Sequence, residues 1–371
     1  MKILYLVHDL NDAAVAKRTT MFKAGRADIL IAGFRRGQEV VSNINGNVPI
    51  NLGQTFNGKF FQRIKLAITK FGFLKSQIGQ GRFDVIVARN LETLGIGYYL
   101  LKAGYADKLV YECLDIHKMM LRGDFIGKVL RFIERHFLKK CDAIMTSSPA
   151  FIENYFSALQ KVTNRVILLE NKVFNEKPLG AKIAKINKTY ANPLQIGWFG
   201  VLRCKKSLKI LSEFALNMKG AVEIILRGKP AYEIMTDFDE VVAQNPYLKF
   251  CGPYKAPDDL YDIYNEVNFT WAIDFYEEGQ NSKWLLPNRL YEGCLYKSIP
   301  IVQDGTETAN YLNKLGIGIM LEDVSPNSLA KLFTNLDANV YNNLQTKLMN
   351  VDPKCFIADE GDCISLIRDL N

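Results

Sequence analysis

The chain has 371 residues, 48% of them hydrophobic and 23% charged. That balance excludes disordered and fibrous classes, and the length exceeds what one ordinary core holds, so two domains are expected. Net charge is +8 but unevenly shared: residues 1–180 carry 27 Lys+Arg against 15 Asp+Glu, an excess of +12, and the remainder stands at −4. The first half therefore either faces something anionic (nucleic acid, a phospholipid surface or a pyrophosphate-linked substrate) or is a solvated basic face.

Short β-rich apolar runs alternate with helical patterns along the whole chain, as they do where helices cover parallel sheets. The opening MKILYLVHDL passes from one lysine into an apolar run with no small-residue cleavage site. It predicts a first strand at 2–8 rather than a signal peptide. Further strands are predicted at 28–34, 83–89, 108–115, 142–147 and 166–170, several ending in polar residues. Ligands in open α/β sheets bind beyond those carboxyl ends.

Two basic amphipathic stretches lie between these strands. GKFFQRIKLAITKFGFLK puts Phe60, Ile64, Ala67, Ile68, Phe71 and Leu74 at helical spacing among lysines and an arginine, and DFIGKVLRFIERHFLKK does the same with Phe125, Val129, Phe132, Ile133 and Phe137. Each either packs on the sheet or rests on an anionic membrane. No stretch reaches 18 uninterrupted apolar residues, so a membrane-spanning helix is not expected.

Residues 1–175 read as a first α/β domain and 176–192, Lys- and Asn-rich with no sustained apolar period, as a linker. A second series of strands (QIGWFG, VEIILRG, LKFCGPY, NFTWAIDF, IPIVQDG, GIGIML) makes 193–352 a second domain. Residues 353–371 form a terminal helix with Cys363, Ile364, Ile367 and Leu370 as its apolar positions and the first domain as one place to pack. Seven scattered cysteines without a C-x-x-C pair read as reduced core residues of a cytoplasmic protein.

The most specific segment is NSKWLLPNRLYEGCLYKSIPIV, 281–302. Pro287 suits the first turn of a helix, which places Asn288, Arg289, Leu290 and Glu292 near its N-terminus. Free N–H groups, the positive dipole end and a permanent cation suit a diphosphate, and Glu292 suits ribose hydroxyls. A capped helix with an Arg289–Glu292 surface ion pair is the alternative. In GWFGVLRCKKSL, 197–208, a strand passes through Gly200 to Arg203 and Lys206, again an anion-binding pattern. The strand ends at Arg227-Gly228 and at Pro253-Tyr254 close on glycine, as where backbone approaches a ligand. The loop 271–284 offers Asp274, Asn281 and Ser282 for sugar hydroxyls.

In the first half, VYECLDIHKMM, 110–120, leads off a strand into Asp115 and His117. These are candidates for a general base, Asp115 first, or for a helix cap. His8 and Asp9 leave the first strand at the same edge and are candidates for acceptor contacts. Asp237 and Asp239 form a D-x-D, but the surrounding apolar spacing is helical, so it reads as a solvated face rather than a metal site. No zinc-type cluster is visible and no metal or other cofactor is expected. No nucleic-acid-binding signature accompanies the charge.

Pro287, Asn288, Arg289, Leu290, Tyr291, Glu292 and Pro300 resemble the P-N-K-L-[FY]-E…G-x-P-[VI] signature of GT-B glycosyltransferases, and GWFGVLR resembles the glycine loop of exopolysaccharide and capsule members of that group (glycosyltransferase family 4-like). The resemblance implies a GT-B fold: two Rossmann-like α/β domains with parallel sheets facing a cleft. It also implies transfer of a sugar from a nucleotide-sugar to a glycan or lipid-linked glycan acceptor. In that scheme Arg289 contacts the diphosphate, Glu292 the ribose, and the basic first domain the acceptor, in the cytoplasm or peripherally at the inner face of the membrane. Two departures stand out. The usual G-R-L-x-x-x-K-G spacing is not kept. Retaining members often carry a second glutamate eight residues before the ribose-binding one, where this chain has Trp284; inversion is the expectation. Two alternatives stay open: a nucleotide-sugar 2-epimerase, which can share this architecture, and a non-catalytic nucleotide-sugar-binding partner of a polysaccharide assembly complex.

Overall fold

In the computed structural model, which describes residues 1–55, 60–174, 183 and 186–371 with backbone alone at 60–68, the apolar runs form two parallel sheets. The chain divides into two units, Met1–Glu170 with Ala358–Asn371, and Asn171–Ile357.

The first unit holds β1 (Lys2–Val7), β2 (Asp28–Arg35), β3 (Ile50–Gln54), β4 (Phe83–Arg89), β5 (Ala106–Cys113), β6 (Ala143–Thr146) and β7 (Arg165–Leu168), in the order β3-β2-β1-β4-β5-β6-β7. Every neighbouring pair is parallel. Parallel strands covered on both faces must be apolar throughout, and Ile3 to Val7 of central β1 are fully buried. The edge strand β3 has no counterpart among the expected strands. Its sequence INLGQ buries only Leu52, too little apolar pattern to stand out.

After β8 (Val173–Phe174), the second unit continues with β9 (Leu194–Leu202), β10 (Val222–Pro230), β11 (Leu248–Phe250), β12 (Phe269–Trp271), β13 (Ile299–Gln303) and β14 (Ile319–Leu321). These make a six-stranded parallel sheet in the order β11-β10-β9-β12-β13-β14. A two-residue strand, β15 (Ile357–Ala358), pairs with β8. Residues 171–174 and 353–357, at the outer ends of the expected boundaries, belong with the second unit. There Val173 donates its N–H to Phe356 O, and Tyr311 donates to Cys355 O. Most of the expected linker lies outside the described residues. Its described part is not free: Ile183 and Ile186 are buried in the second core, and Tyr190 donates to Leu336 O.

The terminal helix, Glu360–Leu370, starts on a capping box between Asp359 and Asp362 and packs on helix Ala13–Ala24. Contact is tight at Gly25, where a Cβ would come within 2.5 Å of Cys363 O. Cys363, Leu366 and Leu370 are buried, whereas Ile364, expected on the apolar face, is exposed. Of the two basic stretches, the side chains of Phe60, Ile64, Ala67 and Ile68 lie outside the described residues. The second forms helix Phe125–Leu138, whose Phe125 and Phe132 face solvent. Among the described residues no helix is long and apolar enough to cross a membrane.

A buried ionic cluster sits inside the first unit. Glu112 on β5 pairs in register with Arg89 on β4. The Glu112 carboxylate accepts from Arg89 Nε at 2.7 Å, from Arg18 Nε at 2.8 Å and from Tyr5 OH at 2.7 Å, with no solvent exposure. Burial alone would raise the Glu112 pKa, but the two guanidiniums overcome it and hold the group at about 2. Since the folded value lies below the ordinary carboxylate value, the stabilisation is complete above about pH 4.5 and is lost as pH falls towards 2. Glu112→Gln, which removes the carboxylate shared by two buried cations, is expected to cost about 3–5 kcal/mol at pH 7. Urea unfolding should show that deficit shrinking as the pH is lowered towards 2.

Candidate nucleotide-sugar site

The site is built on the carboxyl ends of β9, β10 and β11. Parallel pairing sets Gly228 beside Gly200, and Gly228 donates its N–H to Gly252 O at 2.9 Å. All three glycines have positive φ, +119° at Gly200, +130° at Gly228 and +75° at Gly252, a region side-chain-bearing residues avoid. A Cβ on Gly228 would lie 1.7 Å from Gly200 O, whereas one on Gly200 or Gly252 would meet open space. Near the carboxyl ends of the three strands the backbone is thus bare at adjacent positions, and exposed Pro253 and half-buried Tyr254 follow the third.

Past Gly200 the chain enters helix Lys205–Asn217, capped by Cys204. Arg203 stacks its guanidinium over the Tyr276 ring at 4.2 Å. Lys206 sits over the Phe275 ring at 4.2 Å and pairs with Glu278 at 2.7 Å. From the other side, Arg289 donates Nη2 to Ile273 O at 2.8 Å and lies 3.6 Å from Asp274. Its Nε is buried with no hydrogen-bond partner among the described residues. The loop after β12, residues 274–278, is therefore where Arg203, Lys206 and Arg289 converge. The Lys206–Glu278 pair is half exposed on both sides, so it contributes under about 1 kcal/mol and yields readily to a better anion. A small pocket opens beside this loop, lined by Asp274, Ser282, Pro287, Gln303, Thr306 and Thr308.

Pro287 is the N-cap residue, one position before the place expected for it, and the helix runs Asn288–Leu295. Asn288 is exposed at its start. Leu290 is a correction: it is fully buried in the core, and its N–H is spent on Pro287 O, so its side chain offers nothing to a ligand. Glu292 is 9% exposed, and its Oε2 accepts from the buried Tyr264 hydroxyl at 2.8 Å. Tyr264 carried no sequence signal, because its partner lies 28 residues away. Burial and then the Glu292 charge push the Tyr254 and Tyr264 phenols up, with Arg289 opposing, which groups Tyr254 with Arg289 and Glu292. Gly293 lets this helix approach β12, since a Cβ there would lie 2.5 Å from Thr270 Oγ1.

Other expected residues have local tasks. Arg227 pairs with Glu266 at 2.8 Å. Asn281 is buried, and Ser282 Oγ accepts the Glu277 N–H. Asp237 is the N-cap residue of helix Phe238–Gln244 and Asp239 lies in its first turn, matching the helical reading of that D-x-D. No group of three His, Cys, Asp or Glu side chains able to hold a metal ion comes together among the described residues.

In the first unit, His117 caps helix Lys118–Leu121 by accepting the Met119 N–H at 3.3 Å, the plainer of its two expected roles. Asp115 is exposed. His8 is largely buried, 4.0 Å from Asp12, and Asp9 accepts the N–H groups of Asn11 and Arg36. Burial raises the Asp9 pKa. Arg89 also reaches Asp12 at 3.5 Å, tying the buried cluster to this loop.

The chain is 46% identical over 375 residues to the succinoglycan biosynthesis protein ExoL of Rhizobium meliloti strain 1021, covering all of this chain and 93% of that protein. The chain belongs to the ExoL family. No family model matches it. Among solved structures, this ExoL-family chain superimposes over its full length on sucrose-phosphate synthase from Thermosynechococcus elongatus (TM-score 0.71, 13% identity, 99% of that chain). It likewise matches HepE of Anabaena in complex with UDP and glucose (TM-score 0.69, 16% identity, 98% of that chain). Its fold is GT-B.

Gly228→Ala should lower the stability of the ExoL-family chain by about 4 kcal/mol or more in urea unfolding, because backbone must move. Gly200→Ala, with open space around its Cβ, should cost only the backbone strain, about 1–3 kcal/mol.

Proposed function

We infer that the chain is a glycosyltransferase of exopolysaccharide synthesis that takes its sugar from a uridine diphosphate sugar and passes it to a hydroxyl of a lipid-linked glycan at the cytoplasmic membrane surface. The observation that carries this is the convergence of Arg203, Lys206 and Arg289 on one loop of the second unit, beside a glycine edge that lets a nucleotide approach backbone. Membership of the ExoL family supports the pathway, and the bound UDP and glucose of HepE support the donor.

In this reading the diphosphate displaces Glu278 from Lys206 and takes up the unused Nε of Arg289. Three cations then stabilise the charge that grows on the departing nucleoside diphosphate, the part a metal ion would otherwise play. Glu292, steadied by Tyr264, receives the ribose hydroxyls. Asp115 takes the acceptor proton as the sugar, with oxocarbenium character, is attacked with inversion.

Incubation with a panel of nucleotide-sugars separates the rival activities. A transferase releases nucleoside diphosphate only when membrane lipid extract supplies acceptor. A 2-epimerase converts the donor without extract, and a non-catalytic binder releases nothing. Arg289→Ala is expected to lower kcat/KM for the donor about 100-fold or more, since one preorganised donor to developing charge is worth about that much. Asp115→Asn should lower turnover at least about 100-fold while leaving UDP binding, read by calorimetry, unchanged. Full activity in excess chelator is expected; its loss would restore a metal to the mechanism.

A further inference from the structure

Helix Phe125–Leu138 turns Gly127, Leu130, Glu134 and Leu138 towards the first unit's core. At 100° per residue the opposite side carries Phe125, Val129 and Phe132, and these are exposed, Phe125 by 79% and Phe132 by 68%. Ile126 beside them is exposed as well. An isolated exposed leucine would need no explanation, but two phenylalanines on one ridge of a short helix are apolar surface left for something to cover.

Charge says what covers it. Lys128, Arg131, Arg135 and Lys139 follow one another at helical spacing along one flank of the ridge, and Lys140 stands on the other. The single carboxylate between 125 and 140, Glu134, is buried and accepts from Tyr111 at 2.8 Å, Tyr155 at 2.6 Å and Gln160. Asp124, just before the helix, is taken up by Arg122 and by the Gly127 N–H. The outward side is therefore apolar and cationic: Asp124, exposed at its start, is neutralised by Arg122, and Arg131 and Arg135 keep their charge while donating to backbone carbonyls. Two copies meeting through this face would bring like charges together, whereas a bilayer of anionic lipids offers hydrocarbon for the ridge and phosphate for the flanks.

We propose that the Phe125–Val129–Phe132 face, with its flanking lysines, is a docking surface for an anionic lipid bilayer, holding the first unit peripherally on the membrane. The proposal stands apart from the transferase assignment, because its test reads no transfer. Sedimentation with vesicles of phosphatidylcholine containing 30% phosphatidylglycerol (roughly a bacterial level of anionic lipid) should pull down the intact chain, with less bound to phosphatidylcholine alone. F125S/F132S, at exposed positions that do not disturb the core, should reduce partitioning at least about tenfold. K128E/K139E should reduce binding to the anionic vesicles about fivefold or more for each lysine and leave weak binding to the neutral ones unchanged. In a separate arm, the emission of Phe132→Trp, corrected for the native tryptophans, should shift to the blue on adding anionic vesicles. Wild-type protein that stays in the supernatant with both vesicle types overturns the proposal. So does F125S/F132S binding as wild type does, no blue shift at position 132, or a concentration-dependent dimer that F125S/F132S abolishes in the absence of lipid.

Discussion

The second unit is organised around a place where two strands leave no room for a side chain. β9 and β10 run parallel with Gly200 beside Gly228, and the carbonyl of the first occupies the space a Cβ on the second would need. With bare backbone there, the strands hold their register through two further pairs, to Leu202 beside Pro230, although both glycines are at positive φ. Arg203 and Lys206 follow at once on one side, and Pro253 and Tyr254 on the other. Because the strands are parallel, all these turns fall at the same edge, and the helix after Pro287 brings Arg289 and Glu292 to it from a distant part of the sequence.

The two units handle charge in opposite ways. In the first, Glu112 and its arginines are closed off from water, and each hydrogen bond is already committed. In the second, the cations are paired loosely: Lys206 with a half-exposed glutamate, Arg289 with one carbonyl, a carboxylate at 3.6 Å and an idle Nε. Closed pairs resist exchange, and loose pairs invite it. That contrast separates the two clusters more clearly than the residue types do, since both contain Arg with Asp or Glu.

What could be read in advance follows from how local each signal is. Glycines near the strand ends at Gly200 and Gly228, and a helix begun by Pro287, are written in neighbouring residues, and the resemblance carried by those segments implied the GT-B arrangement. The edge strand β3 was invisible because one buried leucine makes no pattern. Tyr264 on Glu292, Glu278 on Lys206 and Arg18 on Glu112 join residues 28, 72 and 94 positions apart, and no spacing rule links them. Glu112 does leave a trace in the sequence, since an acid inside the apolar run LVYEC must find a buried cation. Leu290 shows the converse error, for a signature can include a residue that serves only the core. The helix at 125–138 showed its periodicity plainly, but periodicity does not say which of two opposed faces meets the protein.

The buried cluster also bears on how such a chain can change over generations. Loss of Glu112 alone strands two like charges in a medium that cannot solvate them, loss of one arginine leaves a balanced Arg–Glu pair, and replacing all three with apolar groups of similar bulk leaves an ordinary interior. The order in which the three positions can be exchanged is thereby constrained, with an arginine lost before the glutamate, independently of any selection acting on catalysis.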